Sequence, residues 1–201
     1  MESGRAVVDL LNQLGTVQPD FVTLHIGSGL GRVEYHLRSR VRKCWGVDVS
    51  PSMVKRAQRL VPYPNVEFLV SDGATLAHWK DDTFDLIYSF FVFQHLPRAQ
   101  FERYLREAYV KLASGGRLVF QLIVDEGGMF PDPPPSHPYG LRYYRRSDVE
   151  GELSQAGFSV LGRYSPNGHP DDEVLSTSDV IFCAEKPRAA IPPRAVPSPR
   201  D

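Results

Sequence analysis

Leu24-His25-Ile26-Gly27-Ser28-Gly29-Leu30-Gly31-Arg32 is the stretch on which the reading of this chain turns. It follows the apolar run Phe21-Val22-Thr23-Leu24, which reads as a strand, and precedes Val33 to Arg42, whose composition suits a helix. A strand that enters a Gly-x-Gly-x-Gly turn and leaves as a helix suits a nucleoside ligand. Glycine lacks Cβ, so the backbone takes positive φ and a bound group comes close, while the helix start offers free N–H groups.

Working outward, Ala6, Val7, Leu10, Leu11 and Leu14 recur at helical spacing before the turn, with Gly15 as a stop. After it, Cys44 to Val49 reads as a second strand, and Ser50-Pro51 as the N-cap and first residue of a helix with the stripe Met53, Val54, Ala57, Leu60, Val61. Val66 to Val70 is a third strand, ending at Ser71-Asp72-Gly73, and Phe84 to Ser89 a fourth, running into the apolar Phe90 to Phe93. Phe101, Tyr104, Leu105, Ala108, Tyr109 and Leu112 form a helical stripe stopped by Ser114-Gly115-Gly116, and Arg117 to Val124 is a fifth strand, apolar enough for burial on both faces. Strands alternating with helices predict an α/β fold with a doubly wound, mostly parallel sheet.

Beyond Asp125 the pattern loosens. Gly127, Gly128 and five prolines between Pro131 and Pro138 predict a long irregular connection, read as part of a substrate entrance. Ser147-x-x-Glu150 predicts a capping box opening a helix through Leu153 and Ala156. Phe158 to Tyr164 and Val180 to Ala184 predict two closing strands. Residues 1–186 are expected to form one domain, and the Pro- and Arg-rich residues 187–201 a disordered tail.

The 201 residues carry 42% hydrophobic and 23% charged side chains, enough for a sizeable core. A net charge of −1 gives no global attraction to nucleic acid or to an anionic membrane. Cys44 and Cys183 lie far apart in strand-like runs, which predicts buried free thiols in a reducing compartment. No apolar run approaches the roughly 18 residues of a membrane span, and the first residues lack a signal pattern. A soluble, cytoplasmic protein is expected. His169 to Glu173 reads as a solvated turn, so no metal site is expected.

Asp48 stands at the end of the second strand, 21 residues after Gly27, where a carboxylate is placed to accept ribose hydroxyls. A dinucleotide fingerprint would need glycine where Arg32 stands. These residues resemble the class I S-adenosylmethionine-dependent methyltransferases over roughly residues 20 to 185. Leu24 to Gly31 matches the family's glycine motif, Gly46 to Met53 its ribose-binding segment, and Ser71-Asp72-Gly73 its third-strand end. Phe84 to Ser89, Phe93-Gln94-His95-Leu96-Pro97 and Leu112 to Leu118 match the fourth strand, the segment after it and the turn into the fifth. The resemblance implies a seven-stranded sheet with helices on both faces and a reversed C-terminal hairpin. It also implies S-adenosylmethionine as cofactor, held by His25, Gly27, Ser28, Gly29, Gly31, Asp48, Val49, Met53, Asp72, Gly73, Ser89 and Phe90.

Two positions depart from the family pattern. Ser114 replaces a common proline, a change the paired glycines absorb. His25 stands where the family usually has Asp or Glu, which helps hold the methionine ammonium. A neutral imidazole cannot form that ion pair, and charge-assisted bonds are worth roughly 1.5 to 3 kcal/mol. The sequence therefore predicts a weaker hold on the methionine end, tightened by His25→Asp.

Methyl transfer by in-line attack requires positioning, and a base only where the acceptor carries a proton. His95, after the fourth strand, is the candidate base, and a packing role for its loop is the competing account. Tyr88, Phe90 and Phe93 are aromatics that either face the sulfonium or pack in the core. Asp132-Pro133-Pro134-Pro135 is misplaced for the motif of amino-group methyltransferases acting on DNA bases, and Ser89-Phe90-Phe91 offers no carboxylate to a catalytic metal. Phe93, Tyr139, Arg142, Tyr143 and Tyr144 are the candidate acceptor-binding residues. Together these predict a metal-independent methyltransferase with a small-molecule acceptor. A non-catalytic binding module, motivated by His25, and an RNA methyltransferase, motivated by the basic runs Arg38 to Lys43 and Arg142 to Arg146, are the alternatives.

Overall fold

Each of the first two strands is followed by a helix that returns the chain, so the next strand is laid down parallel to it. The computed structural model describes residues 2–131, 133, 140–171 and 177–188. In chain order the elements are α1 (Glu2–Gln13), β1 (Val22–Ile26), α2 (Arg32–Leu37), β2 (Lys43–Asp48), α3 (Pro51–Leu60), β3 (Val66–Val70), β4 (Phe84–Ser89), α4 (Arg98–Lys111), β5 (Leu112–Asp125), α5 (Arg146–Gln155), β6 (Ser159–Tyr164) and β7 (Thr177–Glu185). A short 3-10 turn, Phe93–His95, lies between β4 and α4.

The strands form one seven-stranded sheet in the order β3-β2-β1-β4-β5-β7-β6. The first five run parallel, while β7 is antiparallel to both β5 and β6. This is the doubly wound sheet with a reversed closing pair that the sequence predicts. Chain direction across the sheet reverses between β1 and β4, which opens a crevice at their carboxyl ends.

Strand periodicity sends alternate residues to two separate cores. Leu86 and Tyr88 of β4 face one side, with Val8 and Leu11 of α1, Leu37 of α2 and Ala57 of α3. Ile87, together with Phe120 of β5 and Phe182 of β7, faces the other, with Phe101 and Leu105 of α4 and Leu153 of α5. The crossover from β3 to β4 contains no helix; Leu76 is buried and Trp79 packs edge-on against Trp45 and Phe84.

Several boundaries differ from expectation for local reasons. The helix after the glycine turn ends at Leu37, not Arg42, and the backbone N–H groups of Arg42 and Lys43 instead donate to the Phe21 carbonyl. Strand β5 begins at Leu112, and the glycines expected to be a simple turn are bonded within it: Gly115 N–H donates to the Lys186 carbonyl and Lys186 N–H to the Gly116 carbonyl. The capping box at Ser147 is not formed. Helix α5 starts at Arg146, whose backbone N–H donates to the Glu126 carboxylate at 2.9 Å, so the cap comes from the preceding connection. The proposed tail is described only to Arg188, and residues 189–201 lie outside the described residues, as does Tyr139.

Candidate functional site

The glycine turn is fastened to the neighbouring strand: the N–H groups of Gly27 and Ser28 both donate to the Val47 carbonyl, at 2.8 and 2.9 Å. Gly27 has φ 81°. A Cβ added there would lie 2.1 Å from Cγ2 of Val92, so the segment after β4 presses directly on the turn. Asp48, at the end of β2, accepts from Gly29 N–H through Oδ2 and from Ser50 N–H through Oδ1, both at 2.9 Å. Two backbone donors thus fix the carboxylate and leave its remaining lone pairs for a ligand.

A cleft of about 440 Å³ opens at this point. Gly27, Asp48 and Val49 line one side, Ser71 and Gly73 its floor, and Phe90, Phe91 and His95 the other side. Val49 is 65% exposed, an apolar platform beside Asp48. Tyr104 also lines the cleft; burial pushes its phenol up to about 12, which keeps it protonated and removes it as a base near neutrality. Gly27, Arg32, Phe90 and Phe91 line a second, smaller compartment as well, into which His25, Ser28, Gly4 and Val7 face. The two compartments therefore adjoin at these residues.

His25 is buried and stacked on Tyr88, with ring centroids 4.4 Å apart. Its Nδ1 lies 2.6 Å from Oε1 of the fully buried Glu34, which also accepts from the Tyr88 hydroxyl at 3.1 Å. Burial first, and then the Glu34 charge, hold the Tyr88 hydroxyl well above the ordinary phenol range, so it donates. Among the described residues, Nε2 of His25 and Oγ of Ser28 are buried without a hydrogen-bond partner.

Other expected site residues are placed differently. Asp72 lines a neighbouring cleft with His78 and Trp79, and its Oδ1 accepts from the backbone of Ala74 and Thr75. Ser89 is buried and donates to the Ile26 carbonyl at 3.0 Å, tying β4 to β1. Gly31 takes φ 74° at the start of α2, packed under Phe68, and Met53 is partly exposed on α3. Tyr88 stacks on His25 within the core instead of facing a sulfonium.

On the acceptor side, Phe93 is a correction: it is buried among Phe101, Tyr104 and Phe120. Tyr144 is buried too, against Phe101 and beneath the Arg98 guanidinium. Arg142 does not reach outward. Its N–H donates to the Gln94 carbonyl and its guanidinium to the His95 carbonyl, which braces the turn carrying His95. Tyr143 stacks on Phe130 at 4.6 Å. His95 itself is exposed and lines the cleft.

The sequence reading missed three participants. Phe91 holds φ 60°, is 62% exposed and lines both compartments, with its N–H anchored on the buried Gln121 at 2.9 Å. Positive φ at a non-glycine residue costs roughly 1–2 kcal/mol, and such strain gathers at functional sites. Nothing in an apolar Phe-Phe-Val-Phe run announces it. Val92 and Glu34 were equally silent.

Comparison with known proteins agrees with this geometry. Residues 24–120 match the family described as "Methyltransferase domain". The chain is 29% identical over 146 residues to ajmaline N-methyltransferase of Rauvolfia serpentina, covering 70% of this chain and 48% of that one. It is 33% identical over 124 residues to demethylmenaquinone methyltransferase of Thermus thermophilus, covering 60% and 51%. The chain thus spans about half the length of these curated relatives. An S-adenosylmethionine-dependent methyltransferase from Mesorhizobium loti shares the fold, with a TM-score of 0.69 at 17% identity, covering 88% of this chain and 95% of that one. An α/β sheet of this order, with a glycine turn facing a strand-end carboxylate, defines a class I nucleoside-binding fold. Within that class the matched segment is similar to methyltransferases, and the chain shares the fold of the S-adenosylmethionine-dependent enzymes. No described helix is long and apolar enough to cross a membrane.

Proposed function

We propose that this chain transfers the methyl group of S-adenosylmethionine to a small-molecule acceptor without a metal ion, in the cytoplasm. One observation carries the reading: a single cleft joins the Gly27–Asp48 pair to His95 and Phe91. The cofactor, when bound, supplies an electrophilic methyl on a sulfonium. Asp48 accepts the ribose hydroxyls, held in aim by Gly29 and Ser50. Val49 and Gly73 flank the base. The aromatic side chains of Phe90 and Phe91 exclude water from the reacting end, and His95 Nδ1 or Nε2 takes the acceptor's proton as the new bond forms.

The names of both curated relatives support a small acceptor, one an N-methyltransferase of ajmaline and the other acting on demethylmenaquinone. The RNA reading is weakened in the second basic run, where two of the three arginines turn inward and Arg145 stays exposed. Arg142 and Arg146 are buried and bonded to the protein. In the first run, Arg38 lies over the rings of Tyr35 and Tyr63, and Lys43 pairs with Glu67.

Incubating the protein with methyl-labelled S-adenosylmethionine and, separately, the small-molecule, RNA and protein fractions of a cell extract tests this. Label is expected in the small-molecule fraction; label confined to RNA or protein overturns the acceptor class. In the same assay His95→Ala is expected to cut turnover at least 100-fold with cofactor affinity unchanged, since general-base catalysis contributes roughly 10²–10⁴-fold. Equal turnover returns His95 to a packing role.

A further inference from the structure

The smaller compartment contains a feature that methyl transfer alone does not require: a buried carboxylate behind a buried imidazole. Glu34 on α2 is fully buried, and its Oε1 receives both the His25 ring nitrogen and the Tyr88 hydroxyl. An ionised Glu34 would only accept, from the Tyr88 hydroxyl and from a proton on Nδ1 of His25. With the ring neutral and its proton on Nδ1, Nε2 is left as an acceptor. Nε2 has no partner among the described residues, and neither has Oγ of Ser28 in the same compartment, nor the second Glu34 oxygen, Oε2. A buried polar atom without a partner is costly, and a cationic donor at Nε2 would meet the Glu34 charge behind the ring.

The compartment adjoins the Asp48 cleft, sharing Gly27, Arg32, Phe90 and Phe91 with it. A ligand whose ribose lies at Asp48 extends its other end to His25. For S-adenosylmethionine that end is an amino acid, with an ammonium as its only primary cationic donor.

We infer that Glu34 is a positioning residue for the cofactor's ammonium: it fixes the proton of His25 on Nδ1, so that Nε2 accepts from the ammonium with a buried negative charge behind it. The histidine at this position thus passes on a carboxylate's charge from one helix further back. The inference rests on the S-adenosylmethionine reading of the cleft. It also reverses the expectation for His25→Asp, which would set two carboxylates together in a buried space and weaken binding or folding.

Calorimetric titration with two probes tests it. S-Adenosylhomocysteine carries the amino-acid end, and 5′-methylthioadenosine lacks it. Glu34→Gln is expected to weaken S-adenosylhomocysteine by about tenfold or more while leaving 5′-methylthioadenosine within a factor of two. His25→Asn, whose amide can still donate to Glu34 but presents nothing at the Nε2 position, is expected to give the same selective loss and serves if Glu34→Gln does not fold. Equal weakening of both probes, or of neither, overturns the inference while leaving the cofactor reading standing. Failure of the unaltered protein to bind either probe overturns both.

Discussion

Asp48 gives one oxygen to the glycine turn and the other to the start of α3, so its orientation is set before any ligand arrives. An amide in its place has one acceptor oxygen, and its NH₂ group would confront the N–H of Gly29 or Ser50. Asp48→Asn is therefore expected to weaken S-adenosylhomocysteine and 5′-methylthioadenosine alike, by about tenfold, since both carry the ribose. Calorimetry checks it, and undiminished affinity would take the ribose away from Asp48. This residue was legible because its distance from Gly27 along the chain reports a strand, a turn and a helix of ordinary length. Glu34 was not legible, because a charged residue on a short helix reads as solvated until its burial is seen. Phe93 and Tyr144 misled because aromatic side chains beside a strand end have two directions open to them, and only the packing of Phe101 and Phe120 decides between them.

Helices α4 and α5 pack together on the face of the sheet opposite α1 to α3, and Glu152 of α5 is half-buried with one carboxylate oxygen unpartnered among the described residues. Burial, then the neighbouring charge of Glu102, push its carboxyl up to about 7, against the opposing effect of Arg98. Between its ordinary value of 4.5 and about 7 the folded chain keeps a proton that the unfolded chain has released. Stability therefore falls as pH rises through that window. Glu152→Gln is expected to raise Tm by a few degrees above the window and not below it. Scanning calorimetry at both ends checks it; an equal gain at both would assign the effect to packing. At this scale α4 was legible from its apolar stripe, buried as expected at Phe101, Tyr104, Leu105 and Ala108. The start of α5 was not, because its cap, Glu126, stands 20 residues earlier in the chain.

The whole sheet was legible from the alternation of strands and helices, while the closure of its far end depends on contacts between residues distant in sequence. Arg146 is buried, paired with Asp171 through two nitrogens at 2.6 and 3.1 Å and with Glu126 at 3.2 Å, and it also reaches Ser178 on β7. It joins the connection after β5, the start of α5, the turn after β6 and the last strand. Removing it leaves the nearly buried Asp171 charge without this guanidinium. Arg146→Ala is expected to cost about 3 kcal/mol, read as a lower urea midpoint, and a loss below about 1 kcal/mol would show the network to be no more than a surface pair. The bracing contact of Arg142 has a consequence for how this protein can change. The glycine turn, Asp48 and Gly73, which line the cleft proposed for the cofactor, all lie before β4, whereas the connection after β5 bears on the turn of His95 through Arg142 and its two carbonyl partners. Exchanging that connection for a relative's, with Arg142 kept, is expected to alter the surroundings of His95 without disturbing the strands that end at Asp48 and lead to Gly73. A change of acceptor is thus open to the chain through one connection.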